Sequence, residues 1–279
     1  MRPRPRLVAT DLDGTLLHTD GSVTDRTRSV ITAVEDLGVT VVFVTGRPIR
    51  WMDDLWEHVG GHGLAICSNG GIVYDVHERA VRKARPIARR LGVEVADILR
   101  RAVPGTTFAL ETTEGFAKEP TFLPDVDDAN RPELAVGPLE EVFGDTVVKL
   151  LGLHEEMEPE RFWQAVEHAV GHLVTTTWSS VGALVEMSAP GVTKASTLEL
   201  VCAELGVDAA DVLAFGDMPN DLAMLEWAGT SYAMANGHPS VRELADHVAP
   251  AHDEDGVATV LEEIFGLGNR ELGSGVTSA

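Results

Sequence analysis

Short, almost wholly apolar runs that stop abruptly at a polar residue or a glycine constrain this chain more than any other feature. Val39–Thr45 (VTVVFVT) and Val212–Gly216 (VLAFG) are the clearest. Runs so rich in apolar residues, and without polar alternation, suit parallel strands covered on both faces. Leu7–Thr10 is a shorter run that ends at Asp11. Thr24 can cap a helix whose apolar positions are Val30, Ile31, Val34 and Leu37, with Gly38 at its stop. Pro48 opens a second helix with Ile49, Met52, Leu55 and Val59 on one face, and Leu64–Ser68 follows as a strand. This β-α-β-α-β order predicts an α/β fold with a doubly wound parallel sheet.

The middle of the chain has a different rhythm. Helices are expected near Val93–Ala102 and Pro159–Val170, with strand-like runs at Thr107–Thr112, Val147–His154, Leu173–Thr177 and Leu184–Met187. Consecutive strands with few helices predict an α+β module with a largely antiparallel sheet. Pro120–Pro138, rich in Pro and Asp, reads as a loop. The α/β rhythm returns with a helix at Lys194–Leu205, strands at Val212–Gly216 and Thr230–Met234, and helices at Asn220–Trp227, Pro239–Ala245 and Val257–Phe265. The simplest arrangement is one α/β domain, 1–84 with 190–267, into which 85–189 is inserted. The Gly/Ser-rich tail, 268–279, is expected to fray.

Charge narrows the partners. Lys and Arg number 22 against 44 Asp and Glu, a formal net charge of −22. That balance argues against nucleic acid, whose non-specific binding rests on basic groups, and against an anionic membrane surface. Behind the basic start Met1–Arg6, the apolar stretch is only Leu7–Ala9 before Asp11 and Asp13 interrupt it. This is too short for a signal-peptide core, so a cytoplasmic location is expected. Cys67 and Cys202 sit in apolar contexts and read as inert core thiols. Trp51, Trp56 and Trp163 fall in helical segments and read as packing residues.

Four motifs at strand ends or helix starts carry the chemistry. Asp11-Leu12-Asp13-Gly14-Thr15 follows the first strand. The two carboxylates repel unless a cation or proton intervenes, and Mg²⁺ is the economical cation; the segment also reads as a solvated Asp turn. Thr45-Gly46-Arg47 ends the second strand, where a hydroxyl and backbone N–H groups can grip a phosphoryl oxygen, or simply form a turn. Lys194, one of four lysines with Lys83, Lys118 and Lys149, opens a helix. A cation there is unfavourable unless an anion lies nearby; otherwise it faces solvent. Gly216-Asp217-Met218-Pro219-Asn220-Asp221 follows the buried VLAFG run. Asp217 can complete a metal site, and Asn220 and Asp221 can cap the next helix.

Taken together and in this order, the motifs resemble those of the haloacid dehalogenase-like (HAD) superfamily, most closely the Cof-type phosphatases of the HAD IIB group. Ser68-Asn69-Gly70-Gly71, Ala233-Met234-Ala235-Asn236-Gly237 and Asp253-Glu254-Asp255-Gly256-Val257 add to the match. Ala195 and Ala235 stand where the family usually has Gly. The resemblance implies a Rossmann-like core with an inserted C2B-type cap. It implies a Mg²⁺-dependent phosphatase of small phosphorylated metabolites such as sugar phosphates or phosphorylated cofactors. Asp11 would be the nucleophile, forming a phosphoaspartate, and Asp13 the acid–base. The metal would be held by Asp11, the Asp13 backbone carbonyl and Asp217, with Asp221 in support. Thr45, Gly46, Lys194 and Asn220 would hold the phosphoryl oxygens, and Arg47 and Asn69 are further candidates for substrate contact. Two other readings stay open: a HAD phosphomutase, and a phospho-metabolite sensor without turnover. Retention of both Asp11 and Asp13 favours turnover, since a binder needs no acid–base carboxylate.

Overall fold

The structure is a computed structural model that describes residues 4–52, 63–122, 135–178 and 182–267. The chain divides into two compact units, Met1–Phe43, Trp56–Gly63 and Cys202–Ala279 in one, Val44–Leu55 and Leu64–Val201 in the other. Among the described residues the strands are β1 (Leu7–Thr10), β2 (Thr40–Val44), β3 (Leu64–Cys67), β4 (Ile72–Asp75), β5 (Ala80–Ala84), β6 (Thr107–Thr112) and β7 (Phe116–Lys118). They continue as β8 (Ala135–Val136), β9 (Val147–Leu153), β10 (Thr175–Trp178), β11 (Leu184–Ser188), β12 (Val212–Gly216), β13 (Thr230–Met234) and β14 (His247–Ala249).

The first unit is built on parallel strands in the order β14-β13-β12-β1-β2. Every residue of β1 and β12 is buried, as their unbroken apolar composition requires of strands covered on both faces. The first helix runs Asp25–Asp36. Thr24 caps it by accepting the Thr27 N–H at 3.0 Å, and Thr27, Val30, Ile31 and Val34 form its buried stripe. Leu37, expected on that stripe, lies past the helix end and is 44 % exposed. The final helix, Gly256–Phe265, packs beside the first one. Strand β14 escaped the sequence reading because HVA is too short to show a period.

The second unit carries two antiparallel assemblies. One is the hairpin ladder β3-β4-β5, with a bulge between Val73 and Tyr74. The sequence reading has β3 but neither β4 nor β5; β5 (AVRKA) is exposed throughout and lacks an apolar face. The other is a sheet in the order β10-β11-β9-β6-β7-β8, antiparallel except for β7–β8. Helices Arg89–Ala102 and Pro159–Val170 cover one of its faces through Val95, Leu99, Phe162 and Val166, against Phe108, Leu150, Val185 and Met187. Strand β10 begins at Thr175 rather than at Leu173. The Leu173 and Val174 N–H groups both donate to the Val170 carbonyl, at 2.8 and 3.2 Å, and so finish the helix.

Pro48 opens a single tight turn, Ile49–Trp51. The rest of the expected helix, with Leu55, Trp56 and Val59, lies outside the described residues, as do 123–134 of the expected loop and the tail 268–279. No helix among the described residues is long and apolar enough to cross a membrane. Both cysteines are free and buried, and burial pushes the Cys67 thiol up to about 12 and that of Cys202 to about 11. Native protein is therefore expected to resist maleimide at neutral pH and to take up label at both positions once denatured. Mass spectrometry of labelled native protein checks this.

Candidate active site

Strands β1 and β12 run side by side with Thr10 opposite Phe215, and the Asp11 N–H donates to the Phe215 carbonyl at 3.1 Å. Asp11 and the turn after Gly216 therefore leave the sheet at the same carboxyl edge, where open α/β sheets bind ligands. There, one oxygen from each of Asp11, Asp217 and Asp221 lies within 4.8 Å of the others, and all three residues are buried. Three carboxylates this close and this dry repel strongly unless a cation or a proton is shared among them. Hard oxygen donors of this kind fit a hard divalent cation. The Asp13 side chain is exposed and is not in this trio.

Asp221, expected to cap the following helix, stands at the N-cap position of Leu222–Trp227 but makes no side-chain cap bond to it. Its Oδ2 accepts the N–H groups of Asp217 and Met218, both at 3.1 Å, which caps the turn and holds the Asp217 backbone. Asp217 is fixed from the other side by the Thr15 hydroxyl, which donates to its Oδ1 at 3.0 Å. Gly14 lies against the same carboxylate at φ +76°, and a Cβ there would sit 2.3 Å from Asp217 Oδ2. Only glycine meets both conditions. Asn236 then closes the loop: its Nδ2 donates to the Gly14 carbonyl at 2.8 Å, and its Oδ1 accepts the His252 N–H at 3.0 Å. Sequence reasoning gave Asn236 no role beyond its place in a matching segment.

Near the end of the chain, Asp255 ties the loop after Asp13 to the first helix. Its Oδ1 accepts from Thr24 Oγ1 at 2.8 Å and Thr27 Oγ1 at 3.0 Å, and pairs with His18 Nε2 at 2.9 Å. Burial alone would raise this carboxyl, but the hydrogen bonds from His18, Thr24 and Thr27 outweigh it and hold the group below the ordinary aspartate range. A depressed native value stabilises the fold above the unfolded-state value and loses that contribution as pH falls through the native one. Asp255→Asn tolerates the left-handed backbone (φ +54°) and removes only the charge. It is expected to cost about 1–2 kcal/mol at pH 7, with the gap to wild type closing in acid. Denaturant titrations at pH 7 and pH 3 check the sign.

In the second unit, Thr45, Gly46, Arg47 and Asn69 gather around one turn. Thr45 N–H donates to the Ile66 carbonyl at 2.8 Å, while the Thr45 and Arg47 carbonyls accept the N–H groups of Asn69 and Ser68 at 3.1 and 2.9 Å. Ser68 and Asn69 are both left-handed, at φ +53° and +54°, and backbone in that region is costly for a residue such as serine and recurs at functional turns. The Gly46 carbonyl accepts from Lys149 Nζ at 2.8 Å. Lys194 is not the solvent-facing lysine that the sequence also allowed. It is 2 % exposed at the first position of helix Lys194–Leu205. Thr193 and Ser196 cap that helix start reciprocally, each side chain accepting the other's N–H at 3.0 Å. A buried ammonium at the positive end of a helix calls for an anion. Asn220 lies in the turn Pro219–Asp221 of the first unit.

Sequence reasoning passed over two buried ion pairs of the second unit. Arg50 grips Glu111 with both arms, Nε to Oε2 at 3.0 Å and Nη2 to Oε1 at 2.6 Å. Its guanidinium lies between the rings of Trp51 and Phe116, 4.7 and 4.8 Å from their centroids. Trp51, expected to be a packing residue, is 48 % exposed and lies against that guanidinium. Lys149 pairs with Glu186 Oε2 at 2.9 Å. The available signal was Lys149 standing alone inside the apolar run VVKLLGL.

Comparison with known proteins adds an independent view. Residues 8–261 match the sequence profile of the haloacid dehalogenase-like hydrolases. The chain is 28% identical over 283 residues to the 5-amino-6-(5-phospho-D-ribitylamino)uracil phosphatase YitU of Bacillus subtilis, covering 96% of this chain and 100% of that protein. It is 26% identical over 264 residues to the pyridoxal phosphate phosphatase YbhA of Escherichia coli, covering 91% and 96%. The solved structure of the HAD subclass IIB sugar phosphatase BT4131 shares the fold, with a TM-score of 0.75 at 19% identity over 94% of this chain and 99% of that one.

Proposed function

The chain belongs to the haloacid dehalogenase-like hydrolases, and on that footing we propose that it is a Mg²⁺-dependent phosphomonoesterase of small phosphorylated metabolites. The observation that carries the reading is the buried trio Asp11, Asp217 and Asp221 at one strand edge. The named relatives act on a phosphorylated ribitylaminouracil and on pyridoxal phosphate, and we read the substrate here as a monoester of that general kind. The segment 85–189 is read as the part that chooses among such substrates, because every catalytic candidate lies outside it.

In this mechanism an Asp11 carboxylate oxygen attacks phosphorus. The new O–P bond makes a phosphoaspartate, the ester P–O bond breaks, and the departing alcohol takes a proton from Asp13. Asp13 then accepts a proton from water as that water attacks phosphorus, which releases inorganic phosphate and restores Asp11. Thr45, Gly46, Lys194 and Asn220 hold the phosphoryl oxygens through the change. Bound Mg²⁺, held by Asp11, the Asp13 carbonyl and Asp217, would supply positive charge against the phosphoryl group. Asp221 keeps Asp217 in place through its two backbone hydrogen bonds.

The test is phosphate release from p-nitrophenyl phosphate. Release is expected with Mg²⁺, none after chelation and metal removal, recovery when Mg²⁺ is returned, and poor recovery with Ca²⁺, which prefers longer and more numerous oxygen contacts. Undiminished turnover in excess chelator overturns the metal requirement.

A further inference from the structure

We propose that Lys149 is a positioning residue for the phosphoryl group, acting on the Thr45 hydroxyl through a single peptide unit. The proposal rests on the reading of Thr45 as a phosphoryl-oxygen donor given above. Two hydrogen bonds in the second unit form the chain of influence. Lys149 Nζ donates to the Gly46 carbonyl at 2.8 Å. The N–H on the other end of that same peptide, Arg47 N–H, donates to Thr45 Oγ1 at 3.0 Å. Thr45 is fully buried, so its hydroxyl has few directions in which to spend its own proton.

The physics of the link is polarisation. An ammonium on a carbonyl oxygen draws electron density out of the peptide and makes its N–H a stronger donor, and hydrogen bonds in series strengthen one another at low dielectric. With a lone pair of Oγ1 occupied by the Arg47 N–H, the Thr45 O–H is turned outward as a donor. The chain therefore delivers part of the Lys149 charge to a phosphoryl oxygen without the lysine touching substrate.

The setting of Lys149 supports a positioning role over a packing one. Along β9, Leu150 faces the helix-covered core, so Lys149 faces the opposite side of the sheet. It is 1 % exposed there, and Glu186 of β11 holds it: Glu186 Oε2 takes Lys149 Nζ at 2.9 Å and Asn69 Nδ2 at 2.5 Å. Asn69 is also the residue whose N–H holds the Thr45 carbonyl. A buried ion pair is a poor source of stability compared with apolar packing, so stability alone does not account for a lysine within VVKLLGL. Its contact with Gly46 does.

The experiment uses the full chain, ¹⁵N-labelled, with inorganic phosphate as the ligand in the presence of Mg²⁺. Lys149→Met is expected to weaken phosphate binding about tenfold, the scale of one charge-assisted hydrogen bond, and to move the Arg47 amide proton upfield. Lys149→Arg should restore most of both. In a Thr45→Val background, Lys149→Met should change phosphate binding by less than about twofold, since the two residues act in series. If Lys149→Met does not fold, Lys149→Met with Glu186→Gln removes both charges, keeps an acceptor for Asn69 Nδ2 and yields the same readouts. An unmoved Arg47 amide, or equal losses with and without the Thr45 hydroxyl, overturns the proposal. Phosphate binding that behaves as expected in a protein that hydrolyses no phosphoester overturns the phosphatase reading and leaves the Lys149 link standing.

Discussion

Asp11→Asn is expected to abolish phosphate release while leaving the protein as stable as wild type or more so. The two halves of that expectation have different causes. An amide is too poor a nucleophile to attack phosphorus, so the covalent route disappears, and losses beyond about 10⁴-fold are the scale for removing a covalent nucleophile. Stability moves the other way because Asp11 is 5 % exposed beside Asp217 and Asp221. Neutralising one of three crowded carboxylates relieves repulsion in the metal-free protein. Asp13→Asn keeps the nucleophile and the backbone carbonyl, and should lose about 10²–10⁴-fold, the range of general acid–base assistance. Rapid quench with ³²P-labelled substrate separates the variants: label trapped on Asp11 is expected in Asp13→Asn and none in Asp11→Asn. Substantial turnover in Asp11→Asn, or label on another side chain, overturns the assignment.

Lys194→Ala is expected to cut kcat/KM by about 10²–10³-fold, as loss of a preorganised donor at a developing anion does. Lys194→Met keeps the shape of the stem and should show the same loss, which separates charge from cavity. Wild-type kcat and KM in both variants would make Lys194 a structural residue. Melting curves and steady-state kinetics on the same preparations settle the point.

The parallel sheet was legible in the sequence because its strands advertise themselves. LVAT, TVVFV and VLAFG are almost wholly apolar and stop at the residues proposed to carry the chemistry. Asp217 and Asp221 were legible for the same reason, their motif beginning where VLAFG stops. The antiparallel strands β4 and β5 and the two-residue β8 were not, since short or exposed strands carry no period. Glu111 and Glu186 were invisible for a different cause. Each is an acid in an ordinary strand, and only the folded chain shows that Glu111 meets Arg50 of the turn after Pro48 and that Glu186 meets Lys149 of a neighbouring strand. Asn236 belongs with them, because its two hydrogen bonds reach residues 222 and 16 positions away.

The pairing of β1 with β12 also sets an order of events. Thr10 finds Phe215 across a separation of about two hundred residues, and contacts of that span form late because their loop entropy must be met first. In the antiparallel sheet of the second unit β6 pairs with β7 and β10 with β11, neighbours in sequence, and β9 joins β6 and β11 over far shorter spans than the one between β1 and β12. During synthesis, that sheet can therefore assemble while β1 still lacks its partner on the β12 side. Asp11, the proposed nucleophile, is encoded within the first dozen residues, but the ground it stands on arrives with the last quarter of the chain.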